Sequence, residues 1–224
     1  MTLQAAIRAF STSHLTPTNA WYTWRPINPA RLPTGLVLAP GNQFSQNVAL
    51  KLGLSTHYAA ATTDARKIEL TEYYIATWGG VRSNGRVKIE CYSLDAIPTL
   101  IALGSVGIAS WSKALCIRAP SQYSIYDARV AIALNAIQIS AGVTCPVFFP
   151  LLKSQNGLIQ RGNVLMRTFA QTAHWAQVPQ PLFYQEYNAA LSAVANAQAV
   201  GQYVIEMLLF AKAADLVHSA FPNV

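Results

Sequence analysis

Leu103-Gly104-Ser105-Val106-Gly107-Ile108-Ala109-Ser110-Trp111-Ser112-Lys113, followed after a short interval by Pro120-Ser121-Gln122-Tyr123-Ser124-Ile125-Tyr126-Asp127-Ala128-Arg129-Val130, decides how this chain is read. Two glycines flank a tight turn, and Ile108, Trp111, Leu115 and Cys116 then recur at helical spacing. Pro120 ends that helix. A loop then delivers one acid, Asp127, to the start of a second apolar helix carrying Val130, Ile132, Leu134 and Ile137. A glycine turn that opens a helix presents unpaired amides, which suit an anion such as phosphate. The acid can serve chemistry on the same surface, or it can cap the second helix and do nothing more.

Turn, spacing and acid together resemble the helix-hairpin-helix superfamily of base-excision DNA glycosylases. The hairpin of that family reads roughly Leu-x-Gly-Val-Gly, and its catalytic aspartate follows by about one helix and a loop. Asp127 lies twenty positions after Gly107, the spacing that family shows. Ser112-Lys113-Ala114-Leu115, Pro120 and Tyr126-Asp127-Ala128-Arg129-Val130 are similar to a small-glycosylase branch, as is Trp78-Gly79-Gly80-Val81-Arg82 upstream. The resemblance covers about Thr77–Asn135. It implies a mainly α, two-lobed fold with the active-site cleft between the lobes. The implied activity is that of a monofunctional DNA glycosylase, which flips a modified or damaged base, hydrolyses its N-glycosidic bond and leaves an abasic site.

In that chemistry positive charge develops on the sugar, and Asp127 is the residue expected to stabilise it and to orient water. Bifunctional members carry a Schiff-base lysine two residues beyond the last hairpin glycine. That position here is Ala109, so water is the expected nucleophile. Lys113, six residues past Gly107, is the second catalytic candidate. The resemblance also implies that Gly104, Ser105, Val106 and Gly107 hold a DNA phosphate, with a monovalent cation at the turn and no other cofactor. Small bacterial members act against phages by excising bulky modified cytosines such as glucosylated hydroxymethylcytosine, and that substrate enters on the resemblance alone. A housekeeping repair glycosylase and a non-enzymatic hairpin module that binds DNA are the alternatives.

Composition bears on the partner. Charged residues make up 11% of the chain, against about 25% in ordinary soluble proteins. Lys and Arg number 16 against 9 Asp and Glu, a net charge of +7. Such an excess favours a polyanion without identifying it; double-stranded DNA is the partner that the resemblance implies. Arg82, Arg86 and Lys88 lie in eight residues without an acid, and with Arg118 and Arg129 they complete the expected DNA-binding set. The same eight residues also read as a solvated basic turn. Trp78, Tyr126 and Trp175 are candidate stacking groups for a flipped base, with His174 as a hydrogen-bond donor; aromatics of this kind also build cores. Trp21, Tyr22, Trp24, Arg25 and Arg31 interleave within a proline-rich stretch, where they can stack on bases or anchor a loop.

Cys91, Cys116 and Cys145 are odd in number and widely spaced, which argues against a disulfide framework or a zinc site. No cysteine follows Cys145, so the iron–sulfur cluster of some family members is not expected, and neither is any other metal site. Val204–Ala214 is apolar but contains Glu206 and Lys212 and is too short to span a bilayer. With no leader sequence evident, a cytoplasmic monomer is expected. The chain divides on this reading into an N-terminal extension and proline-rich loop (1–41), a helical lobe (42–139) with the hairpin at about 94–118 and the acid, and a connection with C-terminal helices (140–224).

Overall fold

The computed structural model describes residues 1–223. It is mainly helical. The first six α-helices are α1 (Leu3–His14), α2 (Gln43–Ala60), α3 (Asp64–Glu72), α4 (Arg86–Leu94), α5 (Ile97–Ala102) and α6 (Ile108–Arg118). They are followed by α7 (Ala128–Ser140), α8 (Gly157–Thr172), α9 (Phe183–Ala197), α10 (Gln202–Ala211) and α11 (Ala213–Ala220). None of these helices is long and apolar enough to cross a membrane. Extended structure is limited, among the described residues, to two dipeptide strands, β1 (Val147–Phe148) and β2 (Ala176–Gln177), paired in parallel.

The chain forms two compact units. One comprises residues 22–125, the other residues 1–21 and 126–224. This division differs from boundaries at 41 and 139. The proline-rich stretch from Tyr22 onward belongs with α2 to α6, and α7 belongs with the C-terminal helices.

In the 22–125 unit, α2 packs on α6, α3 packs on α4, and both α4 and α6 contact each other. Leu50 and Leu54 of α2, Leu70 of α3, and Cys116 and Ile117 of α6 meet Tyr73, Tyr74 and Ile125 in one apolar cluster. Ile27, Leu32 and Leu38 pack against its edge, so the proline-rich stretch is a strap across the core. Thr63 caps α3 by accepting from the Arg66 amide at 3.3 Å, as a Thr-Asp start predicts. The helix then widens into a π-helical turn, Tyr73–Trp78. There Tyr74 and Trp78 stack with ring centroids 4.4 Å apart, and the Gly79 amide closes on the Tyr74 carbonyl at 3.1 Å. Gly79 caps this turn and Gly80 follows at φ +72°, which ends the helix.

The other unit is built on α7. Its residues from Val130 to Gln138 are buried without interruption, because the helix is apolar on every face. It packs against α11, α10, α8 and α1, and α9 packs on α1 and α10. Two buried amides on α7 replace the hydrogen bonds that a longer sheet would give to β1. Asn135 donates to the Phe149 carbonyl and accepts from its amide, both at 3.0 Å. Gln138 does the same to Val147, at 2.8 Å in each direction.

Candidate nucleic-acid interface and acid site

Pro98 in the first turn of α5 and the Gly104 amide bonded to the Ile101 carbonyl frame a helix-turn-helix joining α5 to α6. Gly104 and Gly107 both lie in the left-handed region, at φ +57° and +70°. A side chain at Gly107 would also collide with the Tyr92 hydroxyl from α4, so this glycine is required twice over. The Trp111 indole reaches back to the Val106 carbonyl at 3.0 Å and fixes the turn from inside. The amides of Ser105, Gly107 and Ala109 have no acceptor among the described residues. Val106 at the tip is 72% exposed. The result is a turn tied by the Trp111 indole, with three unbonded amides at the start of α6. Of its carbonyls, those of Leu103, Ser105 and Val106 each accept one N–H, that of Gly107 accepts two, and that of Gly104 accepts none among the described residues.

The basic segment upstream is a loop over 79–85 followed by helix, not a turn through Lys88. Arg86 and Lys88 occupy the first turn of α4, which holds no acid and has Gly85 as its cap. Cations there oppose the helix dipole. Arg86 relieves this by pairing with Glu90 at 2.7 Å, a bond that raises its already high pKa. Arg82 and Lys88 are exposed and have no ion pair among the described residues. Asn84, midway along the loop, donates to the Ser110 hydroxyl on α6 at 2.8 Å, tying the basic loop to the hairpin helix. Arg118 has a different job. Half-buried, it donates to the Asp95 carbonyl at 2.8 Å and closes the end of α4.

Lys113 is 4% exposed, and its ammonium donates back to the Ala109 carbonyl one turn earlier on α6. Gly79 makes room for it, since a Cβ there would stand 2.6 Å from the Lys113 Cε. The resemblance to Trp78-Gly79-Gly80 upstream and to Ser-Lys in α6 thus falls on two segments in contact. Trp78 is half-buried, stacked on Tyr74 and bonded through its indole N–H to Asn47 at 2.8 Å. That leaves it a partly accessible aromatic with a fixed orientation.

Asp127 caps α7. Its Oδ1 accepts from the amides of Arg129 and Val130 at 2.9 and 3.0 Å, while Oδ2 takes no hydrogen bond among the described residues. The side chain is half-buried. Arg129 lays its guanidinium over the Phe210 ring, 5.2 Å from the centroid. Tyr126 is a core residue and not a stacking surface: it is fully buried, packs edge-on to Phe183 and Tyr187, and donates to the Pro150 carbonyl at 2.8 Å. Burial holds its phenol well above the ordinary pKa. His174 is exposed at φ +52°, and with Trp175 it terminates α8 through bonds to Gln171 and Ala170. Trp175 is half-buried against Phe169. Both residues lead into β2, and this placement assigns them a helix stop.

Sequence reasoning passed over Gln43 and Asn47. The Asn47 amide group donates to the Gln43 carbonyl at 2.7 Å, and the Gln43 side chain accepts from the Trp24 amide at 2.7 Å. One chain of bonds therefore runs from the strap to Trp78. The signal available was two amides four residues apart at the start of α2, a spacing that puts both on one face. Among the described residues no group of three or more His, Cys, Asp or Glu side chains is placed to hold a metal ion. The chain matches no protein-family model, no curated protein and no solved structure.

Proposed function

We propose that this chain is a monofunctional DNA glycosylase that hydrolyses the N-glycosidic bond of a modified or damaged base. The reading is carried by one observation, a glycine turn with vacant amides that opens α6 and is followed twenty residues later by Asp127. Vacant amides at a helix start suit a backbone phosphate. The 22–125 unit supports a polyanionic partner, because it holds ten Lys and Arg against five Asp and Glu, +5 of the total +7. A carboxylate pinned through one oxygen leaves the other free to face developing positive charge on a sugar and to align water, at no cost in reorganisation. With Ala109 at the Schiff-base position and Lys113 turned back on its own helix, water is the nucleophile.

The cap geometry favours a second reading. Asp127 already has a sufficient structural role, so a hairpin module that binds DNA without cutting it accounts for the same bonds. Asp127→Asn separates the two readings, because asparagine caps a helix as well as aspartate does. Its stability is expected to stay within about 0.5 kcal/mol of wild type. A glycosylase then loses at least about a hundredfold in turnover while keeping its affinity for DNA. The assay counts abasic sites released from a panel of normal, damaged and phage-type modified DNAs, glucosylated hydroxymethylcytosine among them. Tight binding by both proteins with no abasic sites on any DNA would establish the module instead.

A further inference from the structure

The strap residues Trp24 and Arg25 carry an arrangement that the turn and the acid do not explain. Arg25 lies with its guanidinium 5.3 Å from the Trp24 ring centroid, stacked as a cation on an aromatic face. Its Nη1 packs over Gly80, where a Cβ would stand 3.2 Å away. Gly80 sits at φ +72°, a backbone conformation that calls for glycine. The strap is held there by bonds already described: the Trp24 amide to Gln43, Asn47 to Gln43, and the Trp78 indole to Asn47. Trp78 is the residue that enters the Gly79-Gly80 turn. The position of Arg25 is therefore built, though the side chain is exposed.

What Arg25 lacks is an acid. Arg66 pairs with Glu69, and Arg86 pairs with Glu90. Arg25 has neither an ion pair nor a hydrogen bond among the described residues. A guanidinium stacked on a ring keeps its N–H edge free, and that edge is shaped for two oxygens of one phosphate. Arg82 follows Gly80 by two residues, and Asn84 follows Arg82 by two and is bonded to Ser110 on the hairpin helix. Arg25 thus lies against Gly80, and the loop that runs on from Gly80 through Arg82 is bonded at Asn84 to Ser110, three residues after Gly107.

We infer that Trp24 and Arg25 form a second phosphate clamp for a nucleic-acid strand, extending the hairpin contact along the basic loop. The inference rests on the DNA-binding reading above and adds to it a site outside the hairpin. Arg25 supplies the bidentate fork, Trp24 holds the fork flat, and Gly80 lets it lie against the turn.

The test is the salt dependence of binding to a fluorescently labelled unmodified DNA duplex, measured by anisotropy for the full chain. Each phosphate contact contributes a slope of about −0.9 in log K against log salt. Arg25→Gln is expected to reduce the slope by about 0.9 and to weaken binding about eightfold at 0.1 M salt. Arg25→Lys keeps the charge but loses the fork, so it retains the slope and binds a few-fold more weakly than wild type. Arg167→Gln removes the same charge from the exposed face of α8 and serves as the control, with slope and affinity unchanged. Val106→Asp places a repelling charge on the exposed hairpin tip and reports on the turn itself. If Val106→Asp weakens binding while Arg25→Gln behaves like Arg167→Gln, the clamp is overturned and the hairpin reading stands. If wild type shows no salt-dependent binding to duplex, the reading beneath the clamp fails with it.

Discussion

Lys113 is defined by its commitments. An amine that attacks a sugar carbon must reach the sugar, yet this one is almost wholly buried and points back along α6 to the Ala109 carbonyl. Borohydride reduction during reaction with substrate DNA is accordingly expected to trap no protein–DNA adduct. An adduct formed by wild type and lost in Lys113→Met would make the lysine the nucleophile and remove water from the mechanism. Asp127 is the counterpart, a side chain with one oxygen assigned to the α7 amides and one left open. At this scale the residue types and spacing of the turn and the acid were legible, because glycine and a capping acid act on their immediate neighbours. Tyr126 was not. Beside Asp127 in sequence it resembles a pocket residue, but its partners Pro150, Phe183 and Tyr187 are distant in the chain, and no local pattern announces them.

Helix α7 shows what an element can and cannot disclose. An apolar sequence without a preferred face means burial on all sides, which the chain fulfils. The two polar residues inside it, Asn135 and Gln138, break that pattern for a reason found elsewhere: each is bonded to both backbone groups of one β1-segment residue. Asn135→Leu leaves the buried amide and carbonyl of Phe149 without partners. The expected loss is about 2–6 kcal/mol, taking about 1–3 for each group, and is read from the urea midpoint at constant m-value. A loss below about 1 kcal/mol would mean that the strand holds itself without α7. The α4 start escaped sequence reading for a different reason. Gly85 offers no capping side chain and the first turn carries cations, so the usual entry signals are inverted. The α8 start was hidden behind Asn156-Gly157, which reads as a turn, whereas Asn156 caps the helix by accepting from the Ile159 amide at 3.1 Å. Helices were legible wherever apolar spacing and caps agreed, and illegible where a start carried the wrong charge or a turn dipeptide.

Over the whole molecule the charges are few and the buried phenols many, and the second fact governs how stability responds to pH. Burial raises the pKa of Tyr58, Tyr73 and Tyr92 in the 22–125 unit and of Tyr126 in the other, Tyr126 most of all. In the unfolded chain these phenols ionise near the ordinary tyrosine value of about 10. The folded chain keeps its proton on each of them to higher pH. Between the two values the unfolded state binds fewer protons, so stability falls as pH rises. The contribution is intact below about pH 10 and is lost progressively above it, at up to about 1.4 kcal/mol per pH unit for each phenol held neutral. Loss of positive charge from lysines over the same range relieves repulsion in a basic protein, so net charge alone predicts the opposite trend. Urea midpoints at pH 8, 10 and 11 decide between the two. The expected result is a steep fall above pH 10 for wild type and a shallower one for Tyr126→Phe. That variant begins about 1–2 kcal/mol less stable at pH 8, because the Pro150 carbonyl loses its donor. Parallel curves for the two proteins would show that Tyr126 takes no part in the alkaline limit. A flat wild-type curve would show that the buried phenols do not control stability at all.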